Sequence, residues 1–293
     1  MMEGLLRRIE EYVRRQPAPK KRQLVARLAR LSRTALRVIG PFRPSLATLA
    51  RISGTDKFRG HNYIPAYERF FSEYRNRPIT LLEIGVGGAD FSEGGLSLNL
   101  WEAYFRRGTI VGIDIFDKTK LTRGRIHVHQ CSQVDREKLE ELARKYGGFD
   151  IVSDDGSHIN EHQIETFRIL FPLMKSRGVY VVEDTQTSYW PAYGGGAVGT
   201  PEYARSAMAF FEGLVPGLNH AEYLPAHRVE PTLFNLAIQA IYFEHNLVIV
   251  LKGDNTAKSN WDLDAWAETL EKGAVAQNGT LSQGPSSQAV AAG

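Results

Sequence analysis

From residue 80 onward the chain alternates short apolar runs with amphipathic stretches, and that alternation restricts it to few architectures. Runs at 80–84, 109–115, 125–130, 149–154 and 178–183 read as strands; 96–105, 136–146 and about 160–175 read as helices. A βαβ rhythm of this kind builds a parallel sheet with helices on both faces. Two further β-rich runs, 238–245 and 247–252, are nearly contiguous and should form an antiparallel hairpin. The expected fold is α/β: a doubly wound, Rossmann-like sheet with an antiparallel C-terminal hairpin, preceded by a helical N-terminal arm.

In open sheets of this type ligands sit beyond the carboxyl ends of the strands, so the residues at those ends carry the argument. The first strand runs into a glycine turn, Leu82-Glu83-Ile84-Gly85-Val86-Gly87-Gly88. Gly85 and Gly87 match the first two glycines of a dinucleotide fingerprint, but Asp90 stands where the third belongs, so the turn alone is a weak signal. The second strand strengthens it by ending in Asp114, where a carboxylate can accept both ribose hydroxyls. Glu83, inside the first strand, would suit a cationic amino-acid end better than a pyrophosphate. The site therefore reads as one for S-adenosylmethionine. Gln130 and Ser132, at the third strand end, are the expected partners of the adenine.

Three acidic residues close the next two strands: Asp155 directly after 149–154, Glu183 at the end of 178–183, and Asp184 directly after it. They offer only oxygen ligands, the set that suits Mg²⁺ or Mn²⁺. An ion there would fix and acidify an acceptor hydroxyl. His158, three residues beyond Asp155, can face the same space and titrates near neutrality, so it is the candidate general base, with Asp155 as its catalytic partner. After Asp184 come Tyr189, Trp190, Tyr193 and three glycines, a loop whose aromatic faces could stack on a sugar ring.

At this point the residues resemble a known family. Asp154-Asp155-Gly156-Ser157-His158 and Glu183-Asp184-Thr185-Gln186-Thr187-Ser188-Tyr189-Trp190-Pro191, with Gly85-x-Gly87 upstream, are similar to the metal-dependent macrolide-sugar O-methyltransferases of the mycinamicin-pathway type and to bacterial rhamnosyl and mannosyl O-methyltransferases. Gly54-Thr55-Asp56-Lys57, with Tyr63 and Tyr67, fits that family's lead-in to the first strand. The likeness spans residues 54 to about 253. It implies that Asp155, Glu183 and Asp184 are metal ligands, that His158 is the base, and that Asp154 faces the methionine end of the cofactor. Thr55 and Tyr63 would then stand beside that cofactor. The implied activity is S-adenosylmethionine- and Mg-dependent methylation of a sugar hydroxyl on a glycoside, oligosaccharide, glycolipid or natural product. The alternatives are a catechol or phenol methyltransferase, and a non-enzymatic basic scaffold or nucleic-acid binder with a vestigial site.

The remainder of the 293 residues divides by charge. Residues 1–50 carry twelve Lys/Arg against three Glu, so a basic arm (+9) precedes a mildly acidic body (−6). We expect an arm over 1–50, a methyltransferase domain over 51–274 and a disordered tail over 275–293. Within the arm, 1–16 and 20–39 read as helices separated by Pro17 and Pro19. Leu24, Leu28, Leu31, Ala35 and Val38 make one apolar stripe. We expect that stripe to dock on the chain's own domain or on a second copy in a homo-oligomer. Weak contact of residues 1–39 with a membrane surface is the second reading. Nucleic acid is disfavoured, because few aromatics are interleaved to stack bases. No apolar run approaches the roughly 20 residues that span a bilayer, and the sole cysteine, Cys131, excludes an internal disulfide and fits a cytoplasmic location.

Overall fold

The computed structural model describes residues 12, 15, 18–87 and 94–270. The helix expected over 1–16 therefore falls almost wholly outside the described residues, as do Gly88 to Asp90 of the glycine turn and the tail over 275–293. Among the described residues no helix is long and apolar enough to cross a membrane.

Strands β1 (Thr80–Ile84), β2 (Thr109–Asp114), β3 (Ile126–Gln130), β4 (Phe149–Asp154), β5 (Met174–Glu183), β6 (Ile238–Glu244) and β7 (Leu247–Lys252) form one seven-stranded sheet in the order β3-β2-β1-β4-β5-β7-β6. The first five are parallel; β7 runs antiparallel to β5 and pairs with β6 as a hairpin. The fold expected from the alternation is the fold observed. The winding reverses between β1 and β4, which opens a crevice beyond their carboxyl ends.

Both faces of the sheet are covered, so the central parallel strands β1 and β4 are buried almost throughout, whereas the edge strand β3 buries Ile126 and Val128 and leaves His127 and His129 half-buried. All five residues of β1 are buried, and Leu81 and Leu82 point to opposite faces. Leu81, Ile110 and Ile151 pack under α2 (Leu46–Ser53), α4 (Ile64–Phe71) and α5 (Leu96–Tyr104), through Leu46, Leu49, Tyr67, Phe71 and Trp101. Leu82, Ile84 and Val152 pack under α6 (Arg136–Tyr146) and α7 (Asn160–Leu173), through Leu139, Phe167 and Phe171. Local chemistry sets the helix bounds. The Asp135 side chain caps α6 by accepting from the Lys138 N–H, and Gly147 ends the helix in the left-handed region. Between α2 and α4 lies a single turn of helix, α3 (Asp56–Arg59).

The arm helix, α1, spans Ala18–Ile39. Its docking side is not the stripe marked by spacing. Leu36 is buried in the core with Ile39 against it, whereas Leu31 and Val38 are 60% and 63% exposed. An isolated helical repeat cannot say which of two apolar edges meets the body. Neighbouring Leu46, Leu49 and Ala50 are buried in the same core.

Candidate active site

A cavity of about 460 Å³ opens at the β1/β4 crevice, within the range of small-molecule sites. Gly85, Gly87, Asp114, Ser132, Asp155, His158 and Asp184 line it, so the structure brings together residues singled out from five strand ends. Gly85 and Gly87 have φ of +78° and +72°, values at which a side chain is strained. A Cβ at Gly85 would lie 2.0 Å from the Asp155 carbonyl oxygen, so the glycine turn and the acidic loop are in direct backbone contact. The Asp114 carboxylate accepts from the Val86 and Phe116 N–H groups at 3.2 and 2.9 Å, which fixes the two strand ends to each other.

Other expected cofactor residues stand elsewhere. Gln130 turns outward and donates to the Ile115 carbonyl; the glutamine at the cavity is Gln133. Gln133 accepts from the Ser157 N–H at 2.7 Å and donates to Asp154 and Thr166. Nothing in the sequence separated the two glutamines, because the turn after β3 decides which one points inward. Asp154 is fully buried behind the cavity wall, where burial raises its carboxyl to about 7. Glu83 and Thr55 are also buried and do not line the cavity. Glu83 accepts from Ser97 Oγ at 2.9 Å, and burial pushes its carboxyl to about 7 even with Lys57 nearby.

The acidic residues meet at the cavity's edge. Ligand atoms of Asp155, His158 and Asp184 lie within 4.8 Å of one another, a group that could hold a metal ion. His158 Nε2 is 3.5 Å from Asp184 Oδ2 and 3.9 Å from Asp155 Oδ1. Both His158 and Asp184 adopt left-handed backbone, φ +57° and +56°, a cost that persists only where the surroundings hold it. Asp184 is held by Tyr63, whose hydroxyl donates to Oδ1 at 2.7 Å, and by His61 Nδ1 at 3.0 Å. Tyr63 therefore reaches the acidic cluster and not the cavity. Glu183 is 2% exposed, and its Oε1 accepts from Lys57 at 2.6 Å, from Ser153 at 2.9 Å and from Tyr67.

Lys57, marked in the sequence only as part of the lead-in to the first strand, is the residue whose role was concealed. It is 1% exposed, and its ammonium contacts Asp155 and Glu183 at 2.6 Å each with Glu83 at 3.6 Å. Burial alone would lower its pKa, but the surrounding carboxylates hold it well above the usual range. One lysine contacts Glu83, Asp155 and Glu183, and Asp184 adds a fourth carboxylate to the site. The surplus of carboxylates and the hard donors of Asp155 and Asp184 fit a divalent cation. Burial first of all holds the His158 imidazole below its ordinary pKa, so it is neutral at neutral pH, and its Nδ1 is buried without a hydrogen-bond partner among the described residues.

Beyond Asp184 the chain makes 3₁₀ turns at Thr185–Tyr189 and Pro191–Tyr193. Asn160 anchors them by donating to the Thr187 and Tyr193 carbonyls and accepting from Ser188 Oγ. Tyr189 stacks on Tyr203 and Trp190 leans on Tyr193, both rings about half exposed. Tyr193 lines a second, larger groove of about 970 Å³ that meets the first at His162; Tyr189 and Trp190 line neither.

Fold and site together define a Rossmann-like methyltransferase architecture with an acidic cluster at the cofactor crevice. No family model matches the chain, but individual relatives do. It is 43% identical over 216 residues to the 8-demethyl-8-alpha-L-rhamnosyl tetracenomycin-C 2'-O-methyltransferase of Streptomyces olivaceus, covering 73% of this chain and 56% of that protein. It is 40% identical over 218 residues to the mycinamicin VI 2''-O-methyltransferase of Micromonospora griseorubida, covering 74% and 54%. The solved mycinamycin-pathway methyltransferase MycE, in complex with Mg, SAH and mycinamycin VI, superposes with a TM-score of 0.70 at 37% identity, over 79% of this chain and 60% of that one. Over the aligned residues the chain is homologous to these macrolide- and polyketide-sugar O-methyltransferases. It spans a little over half the length of the curated relatives it matches.

Proposed function

We propose that the protein is an S-adenosylmethionine- and Mg²⁺-dependent O-methyltransferase acting on a hydroxyl of a sugar-bearing small molecule. One observation carries this reading: Asp155, His158 and Asp184 line the same cavity as Gly85, Gly87, Asp114 and Ser132, so acceptor chemistry and cofactor pocket share a wall. The relatives' printed activities and the Mg and SAH of MycE point the same way.

In this account the cofactor lies along Gly85, Gly87 and Asp114, with Ser132 and Gln133 near its base. Asp154, Glu83 and Thr55 support that wall from behind. Asp155 and Asp184 hold the ion; Glu183, whose Oε1 is committed to Lys57, Tyr67 and Ser153, reaches it only through its other oxygen. When bound, the ion lowers the pKa of an acceptor hydroxyl and fixes its position. His158, neutral and within reach of that position, takes the proton as methyl passes in line from sulfonium to oxygen. The acceptor enters past Tyr189, Trp190 and Tyr193, and the adjoining groove gives room for the part of it that does not react. The exposed side of α1 is where we place contact with a second copy, and the single Cys131 supports a reducing, cytoplasmic setting.

The test is an acceptor panel of rhamnosides, other glycosides and catechols, incubated with methyl-labelled S-adenosylmethionine. Label on a sugar oxygen is the expected result. Label confined to catechols would replace the sugar reading with the phenolic one.

A further inference from the structure

We infer that Lys57 is the positioning residue of the ion site: its buried ammonium takes one oxygen of Asp155 and leaves the other facing His158 and Asp184. The inference rests on the proposed ion site and adds a residue to it.

The geometry separates the two oxygens of one carboxylate. Asp155 Oδ2 accepts from Lys57 Nζ at 2.6 Å, while Oδ1 is the atom on the His158 side. The same ammonium takes Glu183 Oε1 at 2.6 Å, so a single cation joins the ends of β4 and β5. Its seat is fixed from outside the sheet. Lys57 lies on the short helix α3, and its backbone carbonyl accepts from the Tyr63 N–H at 3.0 Å. Tyr63 in turn donates its hydroxyl to Asp184, and Tyr67 donates to Glu183. One segment of eleven residues, 57–67, thus touches all three acidic side chains at the strand ends.

Two opposite effects follow from removing this lysine, and their difference makes the inference testable. As a mere positive charge beside a cation site, Lys57 repels the ion, and its loss at fixed geometry would tighten binding. As a positioning group, it keeps Asp155 from rotating away or turning both oxygens elsewhere, and its loss would weaken binding. Groups that orient ligands from behind are typically worth about 10- to 100-fold in metal affinity. Lys57 does not line the cofactor cavity, so the effect should be confined to the ion.

The experiment titrates Mn²⁺ into the full chain by electron paramagnetic resonance, with S-adenosylhomocysteine affinity measured by calorimetry in EDTA alongside. Lys57→Met should bind Mn²⁺ about 10- to 100-fold more weakly than wild type while its affinity for S-adenosylhomocysteine stays within about twofold. If Lys57→Met does not fold, the comparison becomes Lys57→Met/Glu183→Gln against Glu183→Gln. That pair removes the buried charge together with its partner, and the same loss is expected between the two variants. Mn²⁺ binding that is equal or tighter without the lysine, in either comparison, overturns the positioning role. Wild-type protein that binds S-adenosylhomocysteine but no Mn²⁺ overturns the ion site itself, and the inference with it.

Discussion

Replacing Gly85 by alanine tests whether the cofactor turn and the ion loop are one mechanical unit. Two costs can be separated. The left-handed backbone, φ +78°, penalises any Cβ by roughly 1–2 kcal/mol. Beyond that, the new Cβ would sit 2.0 Å from the Asp155 carbonyl oxygen, so that backbone must retreat by about 1 Å or more to reach tolerable contact. Gly87 supplies the control: its φ is +72°, but a Cβ there meets nothing within 4 Å among the described residues. Gly87→Ala should therefore show the conformational cost without a backbone clash, a fall in Tm of roughly 2–8 °C at the 2–4 °C per kcal/mol expected for a domain of this size, and, like Gly85→Ala, it puts a Cβ on the wall along which the cofactor lies. Gly85→Ala should add a displaced Asp155. A misplacement of about 1 Å can cost on the order of 10²-fold in rate, so turnover should drop by about that factor below Gly87→Ala. Mn²⁺ affinity should fall at least about tenfold, since a ligand has moved. Calorimetry, Mn²⁺ titration and single-turnover methyl transfer measure the three quantities. If Gly85→Ala matches Gly87→Ala in Mn²⁺ affinity and within about threefold in rate, the coupling argued from the 2.0 Å contact is wrong.

Two further outcomes follow from the site. His158→Ala should lower turnover by roughly two to four orders of magnitude, with the deficit shrinking at high pH and Mn²⁺ affinity kept; loss of Mn²⁺ binding would make His158 an ion ligand instead. Because burial holds that imidazole below the usual value of about 6.5, its proton-accepting form persists as pH falls to that value, and the wild-type rate should decline only at more acid pH. Asp114→Ala should weaken S-adenosylhomocysteine binding by at least about tenfold, since it removes a cavity carboxylate and frees the Val86 and Phe116 N–H groups. Wild-type binding should survive in EDTA, and preference for NAD over S-adenosylhomocysteine would contradict the cofactor assignment.

The sheet was legible because its signals are local. Continuous apolar runs mark buried parallel strands, and Asp135 and Gly147 bracket α6 with ordinary capping chemistry. The strand-end residues were legible for a topological reason: once the strands are placed in order, their carboxyl ends must share one edge. Residues that act from a distance were hidden. Lys57 lies on a one-turn helix 98 residues before Asp155, and no spacing rule links them. Gln133 replaces Gln130 at the cavity through the course of one turn. The docking edge of α1 needed the body of the protein to choose between Leu36 and the stripe through Leu31 and Val38.

The central claim is that one crevice joins a methyl donor to an ion-held sugar hydroxyl. Its most direct test is transfer of labelled methyl from S-adenosylmethionine to an accepted glycoside, measured in EDTA and again after Mg²⁺ is restored. No transfer is expected in EDTA, with full recovery on adding Mg²⁺ and no recovery in Asp155→Asn or Asp184→Asn at the same Mg²⁺ concentration. Undiminished transfer in EDTA would contradict that claim.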